Sequence, residues 1–171
     1  MQTNRQELQL KIFLAGRVAL ETNGHVIDER RFPGRQGRLL FAYLVAEQGR
    51  AVPRDELADA IWGEEPPATW DKVLTVIASK LRSLLGNNGI DRANALTGAF
   101  GCYRLALPEG TWVDVIVAVS AAGEAEEALA DGDLDGAKEA ASLAAALVQQ
   151  PFLPGEAGTW VEEKRRSGPR R

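Results

Sequence analysis

The segment Asp55–Leu85, DELADAIWGEEPPATWDKVLTVIASKLRSLL, decides the fold, because it is typical of two helices joined by a short acidic loop that contains two prolines. Its second half, Thr69–Leu85, carries apolar side chains at the spacing of a single helical stripe. The members of this stripe are Trp70, Val73, Leu74, Ile77, Leu81 and Leu84. The pattern predicts a helix that packs against a core and turns its opposite face outward.

The outward face of this helix combines short hydroxyl side chains, two cations and one small apolar side chain. Its members are Lys72, Thr75, Val76, Ser79, Arg82 and Ser83. Short side chains let a helix approach base edges, cations reach guanine acceptors or phosphates, and a valine can contact a thymine methyl group. The face therefore favours reading of the DNA major groove. The alternative interpretation is an ordinary solvated helix face.

The flanking sequence places this helix in a larger pattern. Partial alternation and turn signals over Leu8–Phe32 predict a small antiparallel sheet, and Gly34–Glu47 and Arg54–Trp62 predict two helices. Two short apolar segments around Gly98–Gly101 predict a β-hairpin. A sheet, three helices and a hairpin, in this order, form a winged helix-turn-helix of the OmpR type, which we assign to residues 8–110.

The composition changes after Thr111. The segments Val115–Ala130 and Leu134–Gln150 are rich in alanine and predict a tetratricopeptide-like helical hairpin, and Thr159–Arg166 predicts one more short helix. We assign residues 112–166 to an incomplete helical domain and residues 167–171 to a basic tail. The expected fold class is mainly α with small β-sheets, and a fragment ending at Thr111 is expected to fold on its own.

The formal net charge of −4 is unevenly distributed along the chain. Residues 1–112 contain 14 basic and 13 acidic residues, whereas residues 113–171 contain 6 basic and 11 acidic residues. Acidity therefore belongs to the C-terminal part, and the N-terminal part can bind DNA if its cations gather on one face.

Several functions are disfavoured by composition. Cys102 is the only cysteine and His25 the only histidine, and no glycine-rich phosphate-binding motif occurs. We therefore expect no enzyme activity, no cofactor and no metal site. The chain also has no long apolar run and no signal-peptide pattern, so we expect a soluble, cytoplasmic protein that does not enter membranes.

Three strings in the chain resemble a known family. They are FPGRQGRLL at Phe32–Leu40, IWGEEPPAT at Ile61–Thr69 followed by a helix ending SKLRSLLG, and PFLPGEAGTWVEEKRR from Pro151 onward. In this order they resemble the Streptomyces antibiotic regulatory proteins, which join an OmpR-type winged helix to a bacterial transcriptional activator domain. The resemblance covers nearly the whole chain, although the second domain is shorter than the family implies.

The resemblance implies roles for individual residues. It places Lys72, Thr75, Val76, Ser79 and Arg82 on the recognition helix. It also places Arg35 and Gln36 near backbone phosphates. Arg38 and Arg54, at or near helix starts, are further phosphate candidates from physical reasoning, because cations and helix N-termini both attract anions.

The resemblance also implies partners and a wing. The loop from Gly63 to Thr69 would contact RNA polymerase, in the sigma factor region, through Glu64 and Glu65, and a solvated turn is the alternative. The family's wing has an arginine where Thr97 stands here, which leaves Arg104 as a substitute. These alternatives stay open at the level of sequence.

Phe100 and Tyr103 are expected to pack within the hairpin. A contact of Phe100 with a DNA sugar is the alternative interpretation for that residue.

Two functions follow from these observations. The first is a sequence-specific DNA-binding regulator of transcription, which we expect to be an activator. It would bind direct repeats in double-stranded promoter DNA, with a homodimer on the DNA as one option, and contact RNA polymerase. The alternative is a non-catalytic interaction module, in which the winged helix and the acidic helical hairpin bind a partner or a second copy.

Overall fold

The computed structural model describes residues 9–47 and 49–167. The first sheet starts with strands β1 (Leu10–Phe13), β2 (Ala19–Thr22) and β3 (His25–Ile27), which form an antiparallel meander. A 3₁₀ turn at Glu29–Arg31 leads to helix α1 (Gly34–Ala46). The expected N-terminal sheet and first helix are therefore present.

The next elements form the helix-turn-helix and its wing. After β4 (Val52–Pro53) come α2 (Arg54–Trp62) and α3 (Trp70–Asn87), followed by a hairpin of β5 (Leu96–Ala99) and β6 (Cys102–Leu105). The second sheet has the strand order β4-β6-β5. Its register pairs Leu96 with Leu105 and Ala99 with Cys102. The fold class predicted from the sequence is confirmed.

The C-terminal part begins with a strand that the sequence did not predict. Strand β7 (Trp112–Val113) pairs in parallel with β1, so the first sheet has the order β3-β2-β1-β7. Helices α4 (Asp114–Ala130) and α5 (Leu134–Leu147) then form the expected hairpin, and α6 (Thr159–Ser167) follows. A strand of two residues gives no readable alternation, which explains why it was missed.

A single hydrophobic core crosses the boundary between the two assigned domains. Val113, Phe152, Leu153 and Val161 belong to the same buried cluster as the apolar side of α1 and α3. The expectation that residues up to Thr111 fold alone conflicts with this packing, because removal of these side chains would open the core. The two-domain assignment itself stays a proposal.

Helix α5 is attached less deeply. None of its residues is buried, while α4 buries Ala118, Ala121 and Gly123. Leu134 and Leu143 remain 68% and 48% exposed. The hairpin therefore leaves large apolar side chains exposed to solvent.

Candidate nucleic-acid interface

Helix α3 divides its side chains as the sequence predicts. Leu74, Ile77, Leu81 and Leu85 are buried, and Trp70, Val73 and Leu84 pack against the core while partly exposed. On the other side Lys72, Thr75, Val76 and Ser79 are exposed, and Arg82 is half-buried. Val76, the apolar residue of this face, is 52% exposed. The helix therefore presents the predicted short, mostly uncharged surface.

Arg54, at the start of α2, holds the helices and the wing together. Its guanidinium donates to the Asp71 carboxylate at 2.7 Å, to the Thr75 hydroxyl at 2.8 Å and to the Tyr103 hydroxyl at 2.8 Å. It also donates to the backbone carbonyl of Asp71 at 2.7 Å and lies 5.1 Å from the centre of the Tyr103 ring. Asp71 thus brings a carboxylate to the edge of the α3 face. Arg54 is a positioning residue in this structure.

Arg82 forms a second link between α3 and the wing. Its Nε donates to the carbonyl of Leu96, at the start of β5, at 2.8 Å. The backbone N–H of Arg54 donates to the carbonyl of Gly101 in the wing turn at 3.0 Å. The wing is therefore fixed beside α3 from both ends of the hairpin. Between α3 and the wing lies an open cleft of about 460 Å³, which is lined by Arg54, Thr75, Ser79, Arg82 and residues 98–103.

The wing itself differs from the expectation. Tyr103 is buried, as predicted, and its ring lies where a Cβ at Gly98 would come within 3.0 Å of Cε1. Phe100 is 103% exposed at the tip of the hairpin, so the expectation that it packs within the hairpin is wrong. Phe100 and Gly101 occupy the left-handed region, with φ of 52° and 71°. A turn with two such residues points the first side chain outward from the two strands.

The candidate phosphate ligands fall into two groups. The first group is already bound within the protein. The Nε of Arg35 lies 2.7 Å from the Glu156 carboxylate, and the guanidinium of Arg54 is bound to Asp71, Thr75 and Tyr103. Within the part of the chain that the structure describes, no ion pair involves Arg38, Arg104 or Lys72. Gln36 and Arg38 are half-buried on α1, and Arg104 is exposed on β6 opposite Thr97. The candidate cations that have no ion pair therefore lie on α1, α3 and the wing.

The loop between α2 and α3 is exposed throughout, including Glu64 and Glu65. Helix α2 ends at Gly63, whose φ of 67° directs the chain away from the helix axis. Glu64 also borders an open groove of about 780 Å³ between α2 and the start of α6. The loop is therefore accessible to a large partner.

Helix α6 fastens the C-terminal segment onto α1 and α2. The indole Nε1 of Trp160 donates to the carbonyl of Ala60 at 2.8 Å, and its ring meets that of Tyr43 edge-on at 4.9 Å. The Tyr43 hydroxyl donates to Glu56 at 2.6 Å. Burial and this hydrogen bond raise the pKa of Tyr43 above its usual value. The helix-turn-helix is thus supported from behind by the C-terminal part.

Other chemistry is not evident in the region described. Within residues 9–47 and 49–167, no group of three His, Cys, Asp or Glu side chains is placed to hold a metal ion. Over the same residues, none of the helices is both long and apolar enough to cross a bilayer.

The partners of Arg54 and the exposure of Phe100 were not found from the sequence. Asp71 and Tyr103 lie 17 and 49 residues from Arg54, and no local pattern connects them. For Phe100 a signal existed, because a glycine after it favours a tight turn that leaves the preceding side chain outside.

An exposed helix, preceded by a shorter helix and flanked by a hairpin wing on a small N-terminal sheet, defines the class of OmpR-type winged-helix DNA-binding domains. Residues 33–104 match the family described as "Transcriptional regulatory protein, C terminal". This part of the chain belongs to that family.

The relatives of the chain are transcriptional regulators. Regulatory protein AfsR of Streptomyces coelicolor is 34% identical over 131 residues, which are 76% of this chain and 12% of AfsR. Transcriptional regulatory protein EmbR of Mycobacterium bovis is 39% identical over 74 residues, which are 43% of this chain and 19% of EmbR. The chain is thus homologous to AfsR, a Streptomyces antibiotic regulatory protein, as the resemblance implied, and it is also homologous to EmbR. It spans only a small part of these relatives.

A solved structure supports the same relationship. It is described as Mycobacterium tuberculosis EmbR in complex with low affinity phosphopeptide, and it matches with a TM-score of 0.81 at 28% identity. The match covers 94% of this chain and 42% of that chain. The likeness therefore includes the helices after the wing as well as the winged helix.

Proposed function

We propose that this chain is a sequence-specific DNA-binding regulator of transcription. The observation that carries the proposal is the outward face of α3, where Lys72, Thr75, Val76 and Ser79 are exposed beside a wing that Arg54 and Arg82 hold in place. In this proposal α3 enters the major groove. Lys72, Thr75, Val76, Ser79 and Arg82 then face the base edges.

We assign the phosphate contacts according to which candidate side chains are free of ion pairs within the protein. Arg38, Gln36 and Arg104 contact the DNA backbone without breaking an internal ion pair. Arg35 must exchange Glu156 for a phosphate, which is possible because its side chain is 51% exposed. Arg54 would need to release Asp71 and Tyr103, so we assign it mainly to holding α3 and the wing in register for DNA.

The finer parts of the proposal concern transcription itself. The chain is an activator that binds direct repeats in promoters, as a head-to-tail pair on DNA, and contacts RNA polymerase near its sigma factor through Glu64 and Glu65. Support comes from the exposure of the whole loop and from the open groove that Glu64 borders. The two assigned domains, residues 8–110 and 112–166, act as one unit through their shared core.

Selection of genomic DNA fragments with the purified chain at near-physiological salt tests this proposal. Enrichment of promoter fragments that share spaced direct repeats is the expected result. Enrichment no stronger than for random DNA would overturn it. Salt must be fixed, because phosphate contacts make the affinity depend strongly on ionic strength.

A second function is favoured by one observation, the outer surface of α5. Leu134 and Leu143 of α5 and Val148, just after its end, are 68%, 48% and 47% exposed in an acidic hairpin. Such a surface suits association with a partner or a second copy. A chain that dimerises in sedimentation experiments, loses dimerisation on Leu143→Glu and ignores DNA would identify an interaction module instead.

A further inference from the structure

Phe100 combines two unfavourable features at the most prominent point of the wing. Its ring is 103% exposed, and its backbone has a φ of 52°, a region that bulky side chains rarely adopt. Its neighbours Gly98, Ala99 and Gly101 are small and contribute no cover. A solvated phenylalanine in a strained turn gains nothing for the free protein, because an asparagine would fit the same turn better.

The position of Phe100 relative to α3 is fixed. The Arg54 N–H holds the Gly101 carbonyl at 3.0 Å, and the Arg54 guanidinium holds Tyr103 and Thr75 at 2.8 Å each. Phe100 therefore stands at a set distance from the helix, across the cleft that also contains Ser79 and Arg82. A ligand that fills this cleft meets the ring.

We propose that Phe100 is an apolar wedge that enters the minor groove of DNA next to the major groove occupied by α3. The inference rests on the proposed function. Uncharged side chains of this kind contact deoxyribose walls and base edges in the minor groove, and they partly open a base step. The wedge adds an apolar contact at the turn of the wing to the phosphate contact that we assign to Arg104, opposite Thr97.

DNA is favoured over a protein partner by the surroundings of the ring. Phe100, Arg54, Arg82, Thr75 and Ser79 line one cleft, two of these side chains are cationic, and the carboxylate of Asp71 at its edge is bound by Arg54. A wedge also makes a specific demand on the sequence of the DNA. Pyrimidine–purine steps unstack most readily, so the step under the wing is expected to be TA or CA.

The test uses three variants of the full chain on the selected promoter fragment. Phe100→Asn suits the left-handed turn and removes the ring, so the expected result is an unchanged or higher melting temperature with about tenfold weaker binding. The slope of affinity against salt should not change, because no charge is lost. Phe100→Leu should retain most of the affinity. Lys72→Ala should weaken binding and also reduce the salt slope.

The outcomes separate the wedge from the function on which it rests. If Phe100→Asn binds as tightly as the original chain while Lys72→Ala binds less tightly, the wedge is wrong and DNA binding stands. A loss of self-association by Phe100→Asn at unchanged DNA affinity would likewise overturn the wedge in favour of a protein contact. If the original chain does not prefer promoter DNA to random DNA, the proposed function itself fails.

Discussion

The carboxylate of Asp114 accepts hydrogen bonds from the backbone N–H of Leu14 on both oxygens, at 2.9 and 3.0 Å, across 100 residues of sequence. The N–H groups of Ala15 and Val115 add further bonds at 3.0 and 2.7 Å. Asp114 is 3% exposed. Burial raises the pKa of Asp114, and these N–H donors oppose the rise. The residue thus joins the first strand to the start of α4.

Asp114→Asn should therefore lower the free energy of unfolding by about 1–3 kcal/mol, because the amide nitrogen cannot accept from a backbone N–H. Urea denaturation measures this change. Asp131→Asn is the matched control, since Asp131 is exposed at the end of α4 and should change stability by less than about 0.5 kcal/mol. Equal stability of the two variants would contradict the role of Asp114.

A fragment that ends at Thr111 should lose cooperative thermal unfolding. It lacks Phe152, Leu153 and Val161, which are 9%, 2% and 0% exposed in the full chain. Burial of each such side chain stabilises a protein by about 1.5–3 kcal/mol, and the total is a large share of the stability of a small domain. Circular dichroism during heating is the measurement. A sharp transition near that of the full chain would show that the winged helix folds on its own.

Arg54→Ala should lower stability, whereas Arg38→Ala should weaken the contact with DNA phosphates. The first removes several charge-assisted hydrogen bonds, and we expect a loss of about 2 kcal/mol in unfolding free energy. The second should leave stability nearly unchanged but reduce the slope of log affinity against log salt by about 1, as expected for one phosphate contact. Denaturation and DNA binding at several salt concentrations distinguish them. A reduced slope at full stability for Arg54→Ala would reverse the two assignments.

The double variant Glu64→Lys, Glu65→Lys should retain DNA affinity and lose activation. Both side chains are exposed in the loop before α3 and are not members of the α3 face, so their charge reversal should disturb a polymerase surface and not the DNA contact. Transcription in vitro from the selected promoter, with binding measured in parallel, tests this. Unchanged transcript levels would remove the loop from the proposed polymerase contact.

The sequence predicted much of this fold because its strongest signals are local. The apolar stripe of Thr69–Leu85 placed α3 with an error of one residue at its start and two at its end. Its exposed face was predicted for the same reason. Contacts between distant segments were not predicted, because β7, the Arg54–Asp71–Tyr103 contacts and the packing of Val161 depend on tertiary structure. Phe100 was misplaced because an aromatic residue in a hairpin usually packs.

The most direct test of the central claim is the affinity of Val76→Glu for the selected promoter fragment. Val76 is 52% exposed, so glutamate there should leave folding intact while it places a carboxylate in the middle of the α3 face. We expect at least about a 100-fold loss of affinity, because like charges brought together at an interface cost several kcal/mol. Val26→Glu on β3, where the valine is 51% exposed, is the matched control and should bind normally. Val76→Glu that binds within about twofold of the original chain would show that α3 does not enter the groove.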